Sequence, residues 1–289
     1  DFPADQGPAF TQVIGLRDHL VYFRSDDEHG LEPRAIDTPS TCTSSPTTLC
    51  LGNNRFRVDV TWSDFQGGTG AGRSVPLTED TGSFWFFDPD NLELIVKVID
   101  GTAINGNHWV FYGALSDVAY ELRVTDTETG RTATYSNPAG TFGSQGDIDA
   151  LSGLGGKTFA SESAPLSAPA VATAPSTPGT CTTTPTTLCL ADRFEVSVDW
   201  TDFQGGTGTG RTLPLTTDTG SFWFFDSENI ELVLKTIDGT ALNGRFWVFY
   251  GALSNVAFEI TVTDTETGAV KTYSNPSGTF ASNGDTQAF

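Results

Sequence analysis

Two short acidic clusters carry the most obvious chemistry in this 289-residue sequence. Asp88-x-Asp90-Asn91-x-Glu93 and Asp226-x-Glu228-Asn229-x-Glu231 each set hard oxygen ligands close together, directly after an aromatic run. Calcium takes about six to eight oxygens from carboxylates and carbonyls, so each cluster is a candidate calcium site. The same residues also suit an Asx-type turn between two strands, with the acids in water and no metal. The sequence leaves both readings open, and it requires no other cofactor.

Other catalytic chemistry finds little footing. A glycosidase needs two carboxylates flanking a cleft at roughly 5–10 Å, and nothing in the sequence announces a cleft. His108 is the one histidine within the two repeats described below, and its counterpart in the second copy is Phe246; a general base that one copy lacks reads as a strand surface residue. The glycine-rich stretches Gln66–Arg73 and Gln204–Arg211 are not followed by Lys-Ser/Thr or by a helix, so they are not phosphate loops. The expectation is a protein without enzymatic activity.

A third candidate surface is aromatic. Trp85, Trp109 and Tyr112, with Trp223, Trp247 and Tyr250, sit in strand-like segments beside Phe87, Phe111, Phe225 and Phe249. Three uses remain open: core packing, stacking on sugar rings, or burial against a neighbouring domain or protomer.

These residues recur because the chain is duplicated. From Arg55 and Arg193 onward the two copies align without a gap at an offset of 138. Gly82-Ser83-Phe84-Trp85-Phe86-Phe87-Asp88 returns as Gly220-Ser221-Phe222-Trp223-Phe224-Phe225-Asp226. Side chains alternate faces along a strand, so four consecutive aromatics place large apolar groups on both faces, and each face needs a cover. Phe56, Val58, Val60 and Trp62 alternate with polar residues, and Phe194, Val196, Val198 and Trp200 keep the same phase. Further strands are expected at Arg73–Leu77, Phe84–Phe87, Leu92–Asp100, His108–Tyr112, Val118–Asp126 and Arg131–Ser136, separated by turn signals such as Asp100-Gly101 and Asn105-Gly106. Seven short strands per copy and no helical periodicity give an all-β chain of two tandem immunoglobulin-like β-sandwiches. The division is 1–41 tether and β-hairpin, 42–151 first sandwich, 152–180 linker, 181–289 second sandwich. Both copies close on an apolar residue, Leu151 and Phe289, and Phe289 is expected to be a docked C-terminus.

Cys42/Cys50 and Cys181/Cys189 open the two copies at the same spacing. An even, equivalently placed set reads as one disulfide per copy and an oxidising, extracellular destination; zinc would lack further His or Cys ligands nearby. The net charge is −21, with −8 in each copy and zero in the linker. This repels nucleic acid and anionic membrane surfaces, and no apolar run spans a bilayer. The absence of an initial Met and of a signal peptide suggests a processed chain. The Ser/Thr/Pro/Ala-rich linker reads as semi-rigid and extended, with Thr173, Ser176 and Thr177 as candidate O-glycan carriers.

Near the N-terminus, Leu20-Val21-Tyr22-Phe23 is a strand signal, and Leu31–Ile36 after a Ser25–Gly30 turn is its return. Asp26-Asp27-Glu28-His29-Gly30-Leu31-Glu32-Pro33 followed by Asp37-Thr38 resembles a degenerate ELWxxDGT, hyalin-like repeat of bacterial surface propellers, with Arg34 in the tryptophan's place. The copies themselves, through Phe-Trp-Phe-Phe-Asp, Asn-Gly-x-x-Trp-Val-Phe, Val-Thr-Asp-Thr-x-Thr-Gly and Tyr-x-Asn-Pro, resemble an uncharacterised class of C-terminal β-sandwich domains of secreted or surface-anchored bacterial proteins. That resemblance implies fold and location, and no activity. The expected function is an extracellular structural subunit that self-associates into a surface layer or fibre, Leu20–Phe23 or the linker adding a strand to a neighbour. A tandem carbohydrate-binding module or adhesin contacting polysaccharide, and an anchoring tail of a larger secreted protein, are the alternatives.

Overall fold

The computed structural model describes residues 41–152 and 180–289 in full, and the backbone of 13–16, 19–26 and 30–37. Thr173, Ser176 and Thr177 lie outside the described residues.

The N-terminal segment forms an antiparallel sheet of three strands, β1 (Val13–Leu16), β2 (His19–Asp26) and β3 (Gly30–Asp37), with β2 in the centre. The β2–β3 hairpin follows the sequence. The extra strand β1 corrects the expected donor: Leu20, Val21 and Tyr22 pair with Gly15, Ile14 and Val13 on one side and with Ile36, Ala35 and Arg34 on the other. Where both edges are occupied no ladder is left to offer, so Leu20–Tyr22 are not the donor; Phe23 pairs with Pro33 alone, beyond the end of β1, and the open edges belong to β1 and β3.

The first copy is a β-sandwich. One sheet orders β12 (Thr132–Asn137), β11 (Ala119–Asp126), β5 (Phe56–Ser63) and β4 (Thr48–Leu51), with β6 (Thr69–Ala71) also paired to β5. The other orders β13 (Ser144–Asp147), β10 (Asn107–Ala114), β9 (Leu92–Gly101), β8 (Thr81–Trp85) and β7 (Arg73–Pro76). The inward residues of β5 and β11, among them Phe56, Val58, Val60, Leu122 and Val124, close on Phe84, Leu94, Val96, Val98 and Val110. The second copy repeats this with β14 (Leu188–Leu190), β15 (Phe194–Thr201), β16 (Thr207–Thr209), β21 (Ala257–Asp264) and β22 (Val270–Asn275) in one sheet. Its other sheet holds β17 (Arg211–Pro214), β18 (Thr219–Trp223), β19 (Ile230–Gly239), β20 (Arg245–Ala252) and β23 (Ser282–Asp285).

Each sandwich thus has ten strands where the sequence pattern indicated seven. The additions are short and poor in β-branched residues: β4 is Thr-Leu-Cys-Leu, β6 is Thr-Gly-Ala inside the glycine-rich stretch, and β13 is Ser-Gln-Gly-Asp. Between β6 and β7 the chain crosses from one sheet to the other at Gly72, where a Cβ would press to 3.1 Å from both Val60 and Phe84. The Asp100-Gly101 and Asn105-Gly106 signals bracket one helical turn, α1 (Thr102–Asn105), ended by Gly106 at φ 79°; α2 (Thr240–Asn243) is its counterpart. Phe289 stacks on Phe194 at 5.3 Å and exchanges backbone hydrogen bonds with Phe246.

Both disulfides form, Cys42–Cys50 and Cys181–Cys189, with Cα separations of 5.7 and 5.4 Å. Each ties the segment entering a sandwich to that sandwich's first strand, and the pair indicates an oxidising environment. Closing so short a loop stabilises by about 2–3 kcal/mol in the chain-entropy account. The double variant Cys42→Ser/Cys50→Ser is therefore expected to be less stable than the parent by that amount, read as a shift of the urea midpoint, without altering the far-ultraviolet β signal.

Candidate functional site: the seam between the repeats

The sheets β13-β10-β9-β8-β7 and β17-β18-β19-β20-β23 each have an outer face, and these two faces pack against each other. Along β9, Leu94, Val96 and Val98 enter the first sandwich's own core, while Ile95 and Ile99 join a separate cluster with Leu92, Phe111, Leu115, Ile230, Val233 and Leu253. This seam answers the aromatic run: Phe84 and Phe86 are in the core, and Trp85 on the opposite face packs against the seam. At its centre Gly113 meets Gly251, and a Cβ on either would come within 3.1 Å of the other's backbone. Phe111 lies 5.8 Å from Phe280, and Phe249 the same distance from Phe142.

Charge is buried here as well. Lys97 and Lys235, on the outer faces of β9 and β19, are 2 % and 1 % exposed. Lys97 Nζ donates to Asn229 Oδ1 at 2.7 Å and to the Ile230 carbonyl at 2.8 Å. Reciprocally, Lys235 Nζ donates to Asn91 Oδ1 at 2.5 Å and to the Leu92 carbonyl at 2.7 Å. Each asparagine then passes the contact on. Asn91 Nδ2 donates to Glu93 Oε1, whose Oε2 accepts the Phe86 amide at 2.5 Å; Asn229 Nδ2 donates to Glu231 Oε1, whose Oε2 accepts the Phe224 amide at 2.6 Å. An ammonium of one repeat is therefore linked through an amide to a carboxylate of the other, twice. Burial pushes both carboxyls up, to about 7, against the pull of the facing lysine, and burial pulls both ammoniums down, to about 8. Each ammonium also sits 5.3 Å above a phenylalanine ring of its own repeat, Phe111 or Phe249.

Comparisons with protein-family models, with curated proteins and with solved structures found no match. The site is accordingly described from its own geometry.

The clusters weighed for calcium divide in two. Asp88 and Asp226 head Asx turns: Asp88 Oδ1 accepts the Asp90 amide at 2.9 Å, and Asp226 Oδ1 accepts the Glu228 amide at 2.9 Å. Asn91, Glu93, Asn229 and Glu231 have their side-chain oxygens engaged in the seam network. Among the described residues no group of three or more His, Cys, Asp and Glu side chains is arranged to hold a metal ion.

The aromatic candidates divide too. Tyr112 and Tyr250 belong to the separate cores of their repeats. Trp85 and Trp109 pack against the seam, and Trp223 and Trp247 are half-buried at the equivalent positions. Trp109 Nε1 donates to Asn105 Oδ1 at 2.9 Å and Trp247 Nε1 to Asn243 Oδ1 at 3.0 Å. Both indoles lie over a glycine, Gly101 or Gly239, where a Cβ would overlap the ring at 2.1 Å. Among the described residues the exposed aromatics are Phe65, Phe87, Phe203 and Phe225; Phe87 and Phe225 rest edge-on against Trp62 and Trp200, both at 4.8 Å. His108 packs on Phe56 at 4.9 Å, as Phe246 packs on Phe194 at 5.2 Å, which makes it a packing residue with burial lowering its pKa.

Sequence reasoning passed over Lys97 and Lys235. The available signal was a lysine inside an apolar run in both copies, Leu94-Ile95-Val96-Lys97-Val98-Ile99 and Leu232-Val233-Leu234-Lys235-Thr236-Ile237, four residues after a glutamate. No described helix is long and apolar enough to cross a membrane.

Proposed function

We propose that this chain is a non-enzymatic extracellular structural protein whose copies self-associate by strand addition at the N-terminal sheet. The observation that carries this reading is the pairing pattern of that sheet: β1 and β3 are its edges, and among the described residues neither pairs with a strand of either sandwich. An open edge presents a row of unpaired backbone donors and acceptors, which is the template for adding a strand from another chain. The two disulfides favour an oxidising exterior. The seam fits a structural role as well, since it buries the outer faces of both inner sheets and leaves fewer aromatics for stacking on a sugar.

Removing residues 1–40 is expected to abolish assembly, seen as loss of filaments or large particles by negative-stain electron microscopy and a shift to monomer on size exclusion. Both sandwiches should remain folded, because among the described residues each core is built from Cys42 onward. Assembly that persists unchanged in the shortened chain would remove the strand-addition reading. A full-length chain that is a monodisperse monomer in every condition would instead favour a glycan-binding module, with Phe65, Phe87, Phe203 and Phe225 as exposed aromatics for stacking.

A further inference from the structure

We infer that the seam is a pairing surface for a second copy of this chain: either repeat's seam face fits the same face of another molecule. The inference rests on the reading of the chain as a self-associating structural subunit, and it names a joining surface independent of the N-terminal strands.

Its basis is that the seam is isologous. Two non-identical surfaces that meet around a twofold must each supply both halves of every contact. Here they do: Lys97 bonds Asn229 and the Ile230 carbonyl, and Lys235 bonds Asn91 and the Leu92 carbonyl. Phe111 meets Phe280 as Phe249 meets Phe142, and Gly113 faces Gly251 from both sides. Across the seam cluster the copies differ by exchanges among aliphatic residues, such as Leu92 for Ile230 and Ile95 for Val233. Swaps of this kind between well-packed aliphatics of similar volume are the ones a packed interior tolerates best. A face of the second repeat therefore meets its own image with every lysine, asparagine, glutamate and aromatic partner present.

In the intact chain the covalent link favours pairing within one molecule, since a tether of this kind gives an effective concentration of ~mM. Residues 153–179 would reach on the order of 80 Å if extended at ~3.1 Å per residue, enough to let either face look outward once the internal seam is opened. Opening it by substitution should redirect the surviving face to another copy.

Gly113 is the position for that test. The three atoms nearest to a Cβ there, at 3.1–3.3 Å, are Gly251 and Ala252 backbone of the other repeat, so Gly113→Arg strikes the seam first. The experiment uses residues 41–289, which hold all three cores and lack the strand-addition segment, and measures mass by light scattering with near-ultraviolet circular dichroism as the folding control. The parent is expected to be a monomer. Gly113→Arg is expected to double the mass through pairing of second-repeat faces, and Gly251→Arg, an independent variant, to double it through first-repeat faces. The combined Gly113→Arg/Gly251→Arg chain is expected to return to monomer. Single variants that are folded yet monomeric would overturn the inference and leave strand addition standing on its own test. So would doubling that survives in the combined variant, which would place the contact elsewhere on the sandwiches.

Discussion

Replacing Lys235 with methionine is expected to cost about 3–5 kcal/mol of stability near neutral pH, the loss typical of removing one member of a buried charge pair. The lysine's stem packs in the seam and methionine reproduces much of it, so the cost falls on the polar end. Two buried acceptors, Asn91 Oδ1 and the Leu92 carbonyl, lose their donor. Glu93, 1 % exposed, loses the cation that offsets its burial. Lys97→Met should behave alike through Asn229 and Glu231. Urea unfolding followed by tryptophan fluorescence reads the loss. Adding Glu93→Gln should recover much of it, because the amide still accepts from the Phe86 N–H without charge and Asn91, released from the ammonium, can turn to accept from it. A Lys235→Met loss below about 1 kcal/mol, the range of exposed pairs, would mean that the ammonium is hydrated and the seam is looser than described.

The same network shows what the sequence could and could not disclose. Strand phase was legible because two copies of one pattern share a register, so Phe56-Val58-Val60 and Phe194-Val196-Val198 vouch for one another. The cysteine pairing was legible for the same reason. The four-aromatic run stated correctly that both faces of β8 need covering, but the identity of the cover was out of reach, since the surface that covers it is a distant copy of itself. Asn91 and Glu93 were recognised as concentrated oxygen ligands; that their neighbouring cation is an ammonium from the other repeat depends on how two sheets stack, a relation between residues over 140 apart that leaves no local trace. Short strands such as β13 were missed because Ser-Gln-Gly-Asp has no propensity of its own and is held by pairing with β10. The central place of Leu20–Tyr22 hinged on β1, four residues whose strand character appears only in their pairing.

Stability should pass through a minimum between about pH 7 and 8 as far as the seam groups control it. Glu93 and Glu231 have folded pKa values raised from 4.5 to about 7, so between those values the native state holds more protons than the unfolded chain, and stability falls as pH rises through that window. Lys97 and Lys235 have folded values lowered from 10.5 to about 8, so above about 8 the unfolded chain holds more protons and stability rises again towards 10.5. Between the two windows all four groups are charged and carry their full burial cost. Asp88 and Asp226 reinforce the upward displacement of the glutamates, while Asp80 and Asp218 oppose the lowering of the lysines. A tenfold change in proton affinity on folding corresponds to ~1.4 kcal/mol, which makes the acid limb worth on the order of several kcal/mol for the two carboxyls together. Glu93→Gln/Glu231→Gln should flatten that limb while leaving the alkaline limb, and the Lys235→Met loss should shrink on acidification as Glu93 takes up its proton. Urea midpoints measured from pH 4.5 to 10 in the parent and the Gln variants decide it. A parent profile that rises from pH 4.5 to 7, with that rise lost in the Gln variants, would show that the carboxylates are stabilised as anions by the facing lysines, and that the seam is held by its ion pairs in spite of burial.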